Sequence, residues 1–278
     1  MCLGRQLLSS RCTMMSSGAF ILSVVLSVSI SVLQTSSLQH SATLKSFNEI
    51  LSECSRYLPS NDEPCYDRCL GLVGRFWNDT IARPSVSVGR FYRPDPCDQN
   101  YVNRTQQCIC DSVLPLPRKD VCLRASRGLQ CYRNQYGRLI ADEPLFVSVT
   151  KLQSSQIFQD CAQMLQIPRA KLEEIVQQGY SKSPEGSCLV RCYLVRAGLY
   201  SDSQGPDIAR FAVQCEGYED AYEASVARCY QKLKSEQLDK CTLAARTYDE
   251  CIQANEYSNS NLEILGVLLG IITGLIPA

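Results

Sequence analysis

An all-α fold in two disulfide-stapled halves is what this sequence predicts, on three observations. A Cys-x-x-x-Cys pair occurs twice, as Cys65 with Cys69 and as Cys188 with Cys192. Each pair sits in a set of six: Cys54, Cys110, Cys122 and Cys131 complete the first, Cys161, Cys229, Cys241 and Cys251 the second. Eleven residues separate Cys110 from Cys122 and again Cys229 from Cys241. Two matching sets point to an internal duplication. Apolar residues then recur at helical spacing through the second half. Finally, 45% hydrophobic and 20% charged residues suffice to bury a core in each half.

At the N-terminus an apolar stretch from Ala19 to Leu33 turns polar at Gln34 to Gln39, the pattern of a secretory leader over residues 1–37, with cleavage somewhere in Thr35 to His40. Arg5 and Arg11 flank it if translation starts at Met1; a start at Met14 or Met15 gives a shorter leader without them, and both starts remain open. Cleavage removes Cys2 and Cys12 and leaves fifteen of the 17 cysteines, which an oxidising compartment holds mostly as disulfides. Zinc is disfavoured, because structural zinc sites draw on Cys-x-x-Cys pairs or histidine and neither pattern occurs. Lys+Arg and Asp+Glu both number 28, so there is no basic excess for nucleic acid or an anionic membrane.

The first half, residues 38–141, carries one clear helix, Cys65 to Phe76. Pro84, Pro94, Pro96, Pro115 and Pro117 make its middle a loop. Asn78-Asp79-Thr80 and Asn103-Arg104-Thr105 are glycosylation sequons. A short joint at residues 142–150, with Pro144, should let the halves pack closely. In the second half, residues 151–256, Ile157, Phe158, Cys161, Met164 and Leu165 form one amphipathic helix before Pro168, and Leu172, Ile175 and Val176 a second. Ser187 can cap a helix from Cys188 to about Ala197, which Gly198 ends. There Cys188 and Cys192 lie four apart on one face and must reach different partners. Ser201 to Pro206 is a turn-rich loop between helices at Asp207 to Phe211, Tyr218 to Leu233 and Ser235 to Gln253. In the tail, residues 257–278, the uncharged run Ile264 to Ala278 falls short of the roughly 20 residues of a spanning helix. It is expected to fold back over the second half; a lipid-anchor signal with small residues at Ser258 to Ser260 is the alternative, lacking the usual polar spacer.

The single histidine, His40, lies at or before the mature terminus, which excludes Ser-His-Asp and Cys-His catalysis. Adjacent acids such as Glu173 with Glu174, Glu219 with Asp220 and Asp249 with Glu250 point different ways on a helix and read as solvated faces. No enzyme, cofactor or metal is implied. What remains is an apolar interior able to hold a small molecule. The second half offers Met164, Leu189, Leu194, Leu199, Phe211, Tyr230, Leu233 and Leu243, each by itself ordinary core. Phe76, Trp77, Phe91 and Tyr92 in the first half either line a pocket or fill a small core.

The segment Cys188-Leu-Val-Arg-Cys192-Tyr-Leu-Val-Arg-Ala-Gly198-Leu199-Tyr200, with the interval from Cys229 to Cys241, resembles the insect odorant-binding protein (PBP/GOBP) family. The resemblance covers residues 154–254 well and about 48–134 more loosely, so the chain is similar to the two-domain, atypical members of mosquito type. It implies two tandem disulfide-stapled six-helix domains, the first partly reduced because the interval from Cys54 to Cys65 is short. From Cys241 to Cys251 stand nine residues where the family usually has eight. Sequence alone leaves 15 pairings open in each set of six. The family pairing, carried over by position, is Cys54 with Cys69, Cys65 with Cys122, Cys110 with Cys131, Cys161 with Cys192, Cys188 with Cys241 and Cys229 with Cys251. Outside the sixes, Cys97 and Cys108 are expected to form a seventh disulfide across one loop. Cys215 is then odd: a buried free thiol is preferred over a cross-chain bond, and a bond to Cys97 or Cys108 is the further alternative.

Functionally the resemblance implies a secreted carrier of small hydrophobic ligands such as odorants. A sensory receptor or another carrier chain would be its macromolecular partner, with no nucleic acid and no membrane anchor. The alternatives are a salivary or haemolymph scavenger of amines or lipid mediators, and a partner-binding protein without a ligand cavity whose tail docks on another chain.

Overall fold

A computed structural model describes residues 42–58, 64–215 and 220–253, together with Gly270. The expected leader and His40 lie outside these residues, as does the tail apart from Gly270. The fold is all-α, as the sequence predicts: ten α-helices and only two- or three-residue strands are formed among the described residues. No helix among them is long and apolar enough to cross a membrane.

Both halves begin on the same local device. Ser46 caps α1 (Phe47–Tyr57), its hydroxyl accepting from the Glu49 N–H at 3.2 Å while the Glu49 carboxylate accepts from the Ser46 N–H at 2.6 Å. Thr150 and Gln153 repeat this reciprocal box at the start of the first helix of the second half. Phe47, Ile50 and Cys54 then fall on the inward face of α1.

In the first half α1 is followed by α2 (Pro64–Val73), α3 (Tyr101–Ser112) and α4 (Val121–Gln135). Cys54–Cys69 ties α1 to α2, Cys65–Cys122 ties α2 to α4, and Cys108–Cys131 ties α3 to α4. The second half holds α5 (Lys151–Met164), α6 (Arg169–Gln178), α7 (Pro184–Arg196), α8 (Ile208–Gln214), α9 (Asp220–Ser235) and α10 (Lys240–Arg246), closed by a π-helical turn at Thr247–Gln253. Cys161–Cys192 ties α5 to α7, Cys188–Cys241 ties α7 to α10, and Cys229–Cys251 ties α9 to the closing turn. In each half the helix with the Cys-x-x-x-Cys pair, α2 or α7, thus holds two neighbours, and in the first half α4 does so as well. Two separate cores result, one from Phe47 to Tyr132 and one from Phe146 to Ile252, with Trp77, Ala82 and Ala125 as a small satellite.

Helix phase overturns two of the expected disulfides. Cys131 bonds Cys108, so neither Cys110–Cys131 nor Cys97–Cys108 forms. On α3 the inward residues are Thr105, Ile109 and, just beyond, Val113, and Cys108 shares their face. Two residues on, Cys110 is about 200° round the helix and exposed as a free thiol. Cys97 is disulfide-bonded, but not to Cys108. Cys215 is free and buried, in agreement with the preferred expectation.

Other boundaries shift for local reasons. The central helix of the second half starts one turn before Ser187: Ser183 is its cap, accepting from the Gly186 N–H at 3.1 Å, and Pro184 occupies the first turn, where its missing N–H costs nothing. The helix ends as expected at Gly198, whose φ of +72° suits glycine. The proline-rich middle of the first half contains α3 and a 3-10 helix at Val86–Phe91; the prolines flank these elements instead of interrupting them. The loop at 201–206 is a tight hairpin, Tyr200–Ser201 against Gly205–Pro206. There Gly205, at φ +84°, lets the Tyr230 ring approach to where a Cβ would stand 2.3 Å from its Cζ.

The joint is not a bare linker. Leu145–Val147 forms a strand antiparallel to Thr43–Lys45, with Leu44 opposite Phe146. Phe146 and Val149 belong to the second core, while Leu145 packs against the first.

Replacing Cys110 with Ser should leave the denaturation midpoint unchanged, whereas replacing Cys131 with Ser should cost about 2–5 kcal/mol by chemical denaturation. Peptide mapping without reduction should recover the Cys108–Cys131 crosslink. Recovery of Cys110–Cys131 instead would overturn the assignment.

Candidate functional site

The second core is built around α7, which is inserted between α5 on one side and α10 on the other. Leu189, Val190, Tyr193 and Leu194 are all but fully buried along it. From α5, Phe158 stacks flat on Tyr193, with ring centroids 4.1 Å apart and planes 1° off parallel. Such ring contacts add about 0.5–1.5 kcal/mol to area burial. Across the core, Phe211 of α8 lies 6.4 Å from Tyr248 of the closing turn, and Tyr200 meets Tyr230 of α9 edge to face at 6.5 Å.

The polar atoms inside this core are hydroxyls, amides and one thiol. The Tyr193 hydroxyl is 3.1 Å from Ser154 Oγ. The Tyr180 hydroxyl donates to Asp249 Oδ1 at 2.9 Å, and Gln253 Nε2 donates to the Tyr248 hydroxyl at 3.2 Å. These partners satisfy groups whose burial would otherwise cost free energy. Burial pushes Tyr180, Tyr193, Tyr222 and Tyr248 upward, and at Tyr180 the Asp249 carboxylate adds to it. Burial likewise pushes the Cys215 thiol up to about 12, so at neutral pH it is a small apolar side chain and not a nucleophile.

Among the residues singled out in the sequence, the structure brings Leu189, Leu194, Leu199, Phe211, Tyr230 and Leu233 into this one core, with Leu243 partly buried against it. Met164 lies elsewhere: it is 56% exposed at the end of α5, its sulfur 3.9 Å from Arg196 Nη1. In the first half Phe91 packs edge-on against both Phe47 and Phe76, and Tyr92 lies against Tyr132 and Tyr136. Trp77 is outside that group, in the satellite, its Nε1 donating to Asp79 at 2.8 Å. Sequence reasoning did not single out Tyr193, Tyr180, Tyr248 or Ser154 as site residues. Tyr193 had a signal, standing four residues before Ala197 and one after Cys192 on a helix with little exposed surface. Tyr248 had none, because its inward direction comes from the π-helical turn.

Two outcomes follow from this packing. Phe211→Ala should cost roughly 3–5 kcal/mol, measured by denaturant unfolding, if the surrounding side chains stay in place. Stability should also fall on the alkaline side. The unfolded chain releases the Cys215 proton near 9.0 while the folded chain holds it up to about 12, so stability is complete below pH 9 and declines as pH rises towards 12. The buried tyrosines, raised from 10.0, act in the same direction. Melting temperatures from pH 7 to 11 check this, and a smaller decline in Cys215→Ala isolates the thiol.

Comparison with known proteins adds two findings. Residues 146–255 match the PBP/GOBP family model, which spans the whole second core. The chain is also similar to general odorant-binding protein 69 of Anopheles gambiae, with 28% identity over 203 residues, covering 64% of this chain and 87% of that protein. No solved structure matches it. Over residues 146–255 the chain is thus similar to the PBP/GOBP family.

Proposed function

We propose that this protein is a secreted carrier of small hydrophobic ligands, odorants among them, and that the core of the second half receives them. The observation that carries this reading is the character of that core. It is an almost wholly apolar and aromatic interior, with hydroxyl and amide groups at a few defined points, enclosed by three disulfides. An apolar molecule gains by leaving water for such an interior, and the few hydrogen-bonding groups can orient it. The similarity to an odorant-binding protein supports the same reading. That similarity covers more of the chain than the family match does, which supports a duplicated architecture with the first half as a reduced counterpart. Ligand contact is assigned to the second half, where Leu189, Leu194, Leu199, Phe211, Tyr230 and Leu233 converge.

The two free thiols among the described residues provide the experiment. In Cys110→Ser, which removes the exposed thiol, alkylation of Cys215 reports opening of the second core. A fluorescent apolar probe should bind saturably, one per chain, and slow that alkylation at least tenfold. Binding with no change in the alkylation rate would move the site out of the second core, and no saturable binding would end the carrier reading.

A further inference from the structure

Neither core uses the sequon Asn78-Asp79-Thr80, and the fold treats it quite differently from Asn103-Arg104-Thr105. Asn78 closes a two-residue hairpin, Trp77–Asn78 against Arg83–Pro84, and Asn78, Asp79 and Thr80 are all exposed. The Asn78 carboxamide oxygen accepts from the Thr80 N–H at 2.8 Å, an Asx turn that needs only these three residues. That bond occupies the oxygen and leaves Nδ2 without a hydrogen-bond partner among the described residues. The middle residue is turned the other way: the Asp79 carboxylate is held by Arg68 Nε at 2.9 Å and by Trp77 Nε1 at 2.8 Å. The Asp79 side chain therefore anchors the turn to the protein while Asn78 and Thr80 stand in solvent.

At the second sequon the same groups are engaged. Asn103 lies in the first turn of α3, its Nδ2 donating to Asn100 Oδ1 at 3.1 Å. Thr105 is only 1% exposed, and its hydroxyl donates to the Tyr101 carbonyl at 2.8 Å. A sequon is read through both its amide nitrogen and its hydroxyl, and here the hydroxyl is inside the protein.

We propose that Asn78 carries an N-linked glycan and that Asn103 does not, an inference that rests on the secreted reading. In the reaction the Asn78 nitrogen bonds to the anomeric carbon of an oligosaccharide on a polyprenyl diphosphate carrier. The bond from that carbon to the diphosphate oxygen breaks, the diphosphate leaves with its electron pair, and one proton is lost from the nitrogen. A bulky polar group at this turn displaces no packed surface.

The test is the full chain expressed in cultured insect cells, once with its own N-terminus and once behind an added, proven secretion leader. Treating the secreted protein with a peptide N-glycosidase should remove the mass of one glycan and convert Asn78 to Asp. Asn78→Gln and Thr80→Ala should abolish the mass shift, Thr80→Ser should keep it, and Asn103→Gln should leave it unchanged. An unmodified Asn78 in protein secreted by the added leader overturns the inference, as does equal occupancy of Asn103. Glycan present with the added leader, but no secretion from the native N-terminus, defeats the secreted reading and leaves the modification site standing.

Discussion

Two cysteines one helical turn apart, each bonded to a different neighbour, form the constraint on which the second half depends. Cys188 and Cys192 of α7 cannot reach each other, so they hold α10 and α5 against the same central helix. Three disulfides at about 2–4 kcal/mol each equal much of the net 5–15 kcal/mol that keeps a typical domain folded. With stability supplied largely by restricting the unfolded chain, the interior is under less demand to reach crystal-like density. Under the proposed carrier role, such staples would let the core open for a guest without loss of the fold. The first half repeats it, with Cys65 and Cys69 of α2 holding α4 and α1.

The parts of this architecture that were legible in the sequence are those encoded by spacing within one helix. The divergence of Cys188 and Cys192 and the inward residues of α7 follow from a period of 3.6, and the stop at Gly198 from glycine's freedom at positive φ. Cys108 against Cys110 was misjudged because an interval counted from Cys122 says nothing about the phase of α3, and Thr105 and Ile109 set that phase. A helical-wheel check of Tyr101 to Val113 would have found it. The start at Ser183 was also within reach, since Ser-Pro before a helix is a strong signal. So were the matching boxes Ser46-x-x-Glu49 and Thr150-x-x-Gln153, which mark the two halves beginning alike.

The candidate residues of the second half were legible as core only as a set. Six of the eight named in the second half converge in one core, because burial follows apolar character and period. Met164 does not, since it falls at the last residue of α5, where the helix face turns to solvent beside Arg196. Tyr180 depends on hydrogen bonds to Asp249 and Gln253, 69 and 73 residues away, that no local pattern encodes, and Tyr248 on the π-helical closing turn it belongs to.

The joint between the halves shows the same limit and carries a structural consequence. Little periodicity marks residues 142–150, yet main-chain atoms there are held from both sides. Arg75 donates to the Ser148 carbonyl and Arg90 Nη1 to that of Phe146 at 2.9 Å, both from the first half. From the second half, the Gln214 side chain accepts from the Val149 N–H at 2.7 Å and donates to its carbonyl at 3.0 Å, and the Arg210 guanidinium stands 5.7 Å from the Phe146 ring centre. Burial pulls Arg75 and Arg90 downward, and the joint's carbonyls, with the Glu53 and Asp207 carboxylates near Arg75 and Arg90 respectively, replace part of the hydration these guanidiniums give up. The exchange is favourable only while the strand Leu145–Val147 stays seated against Thr43–Lys45. Since Phe146 and Val149 also form one wall of the second core, that wall is positioned partly by arginines of the first half. The first half therefore has a physical role in shaping the interior of the second.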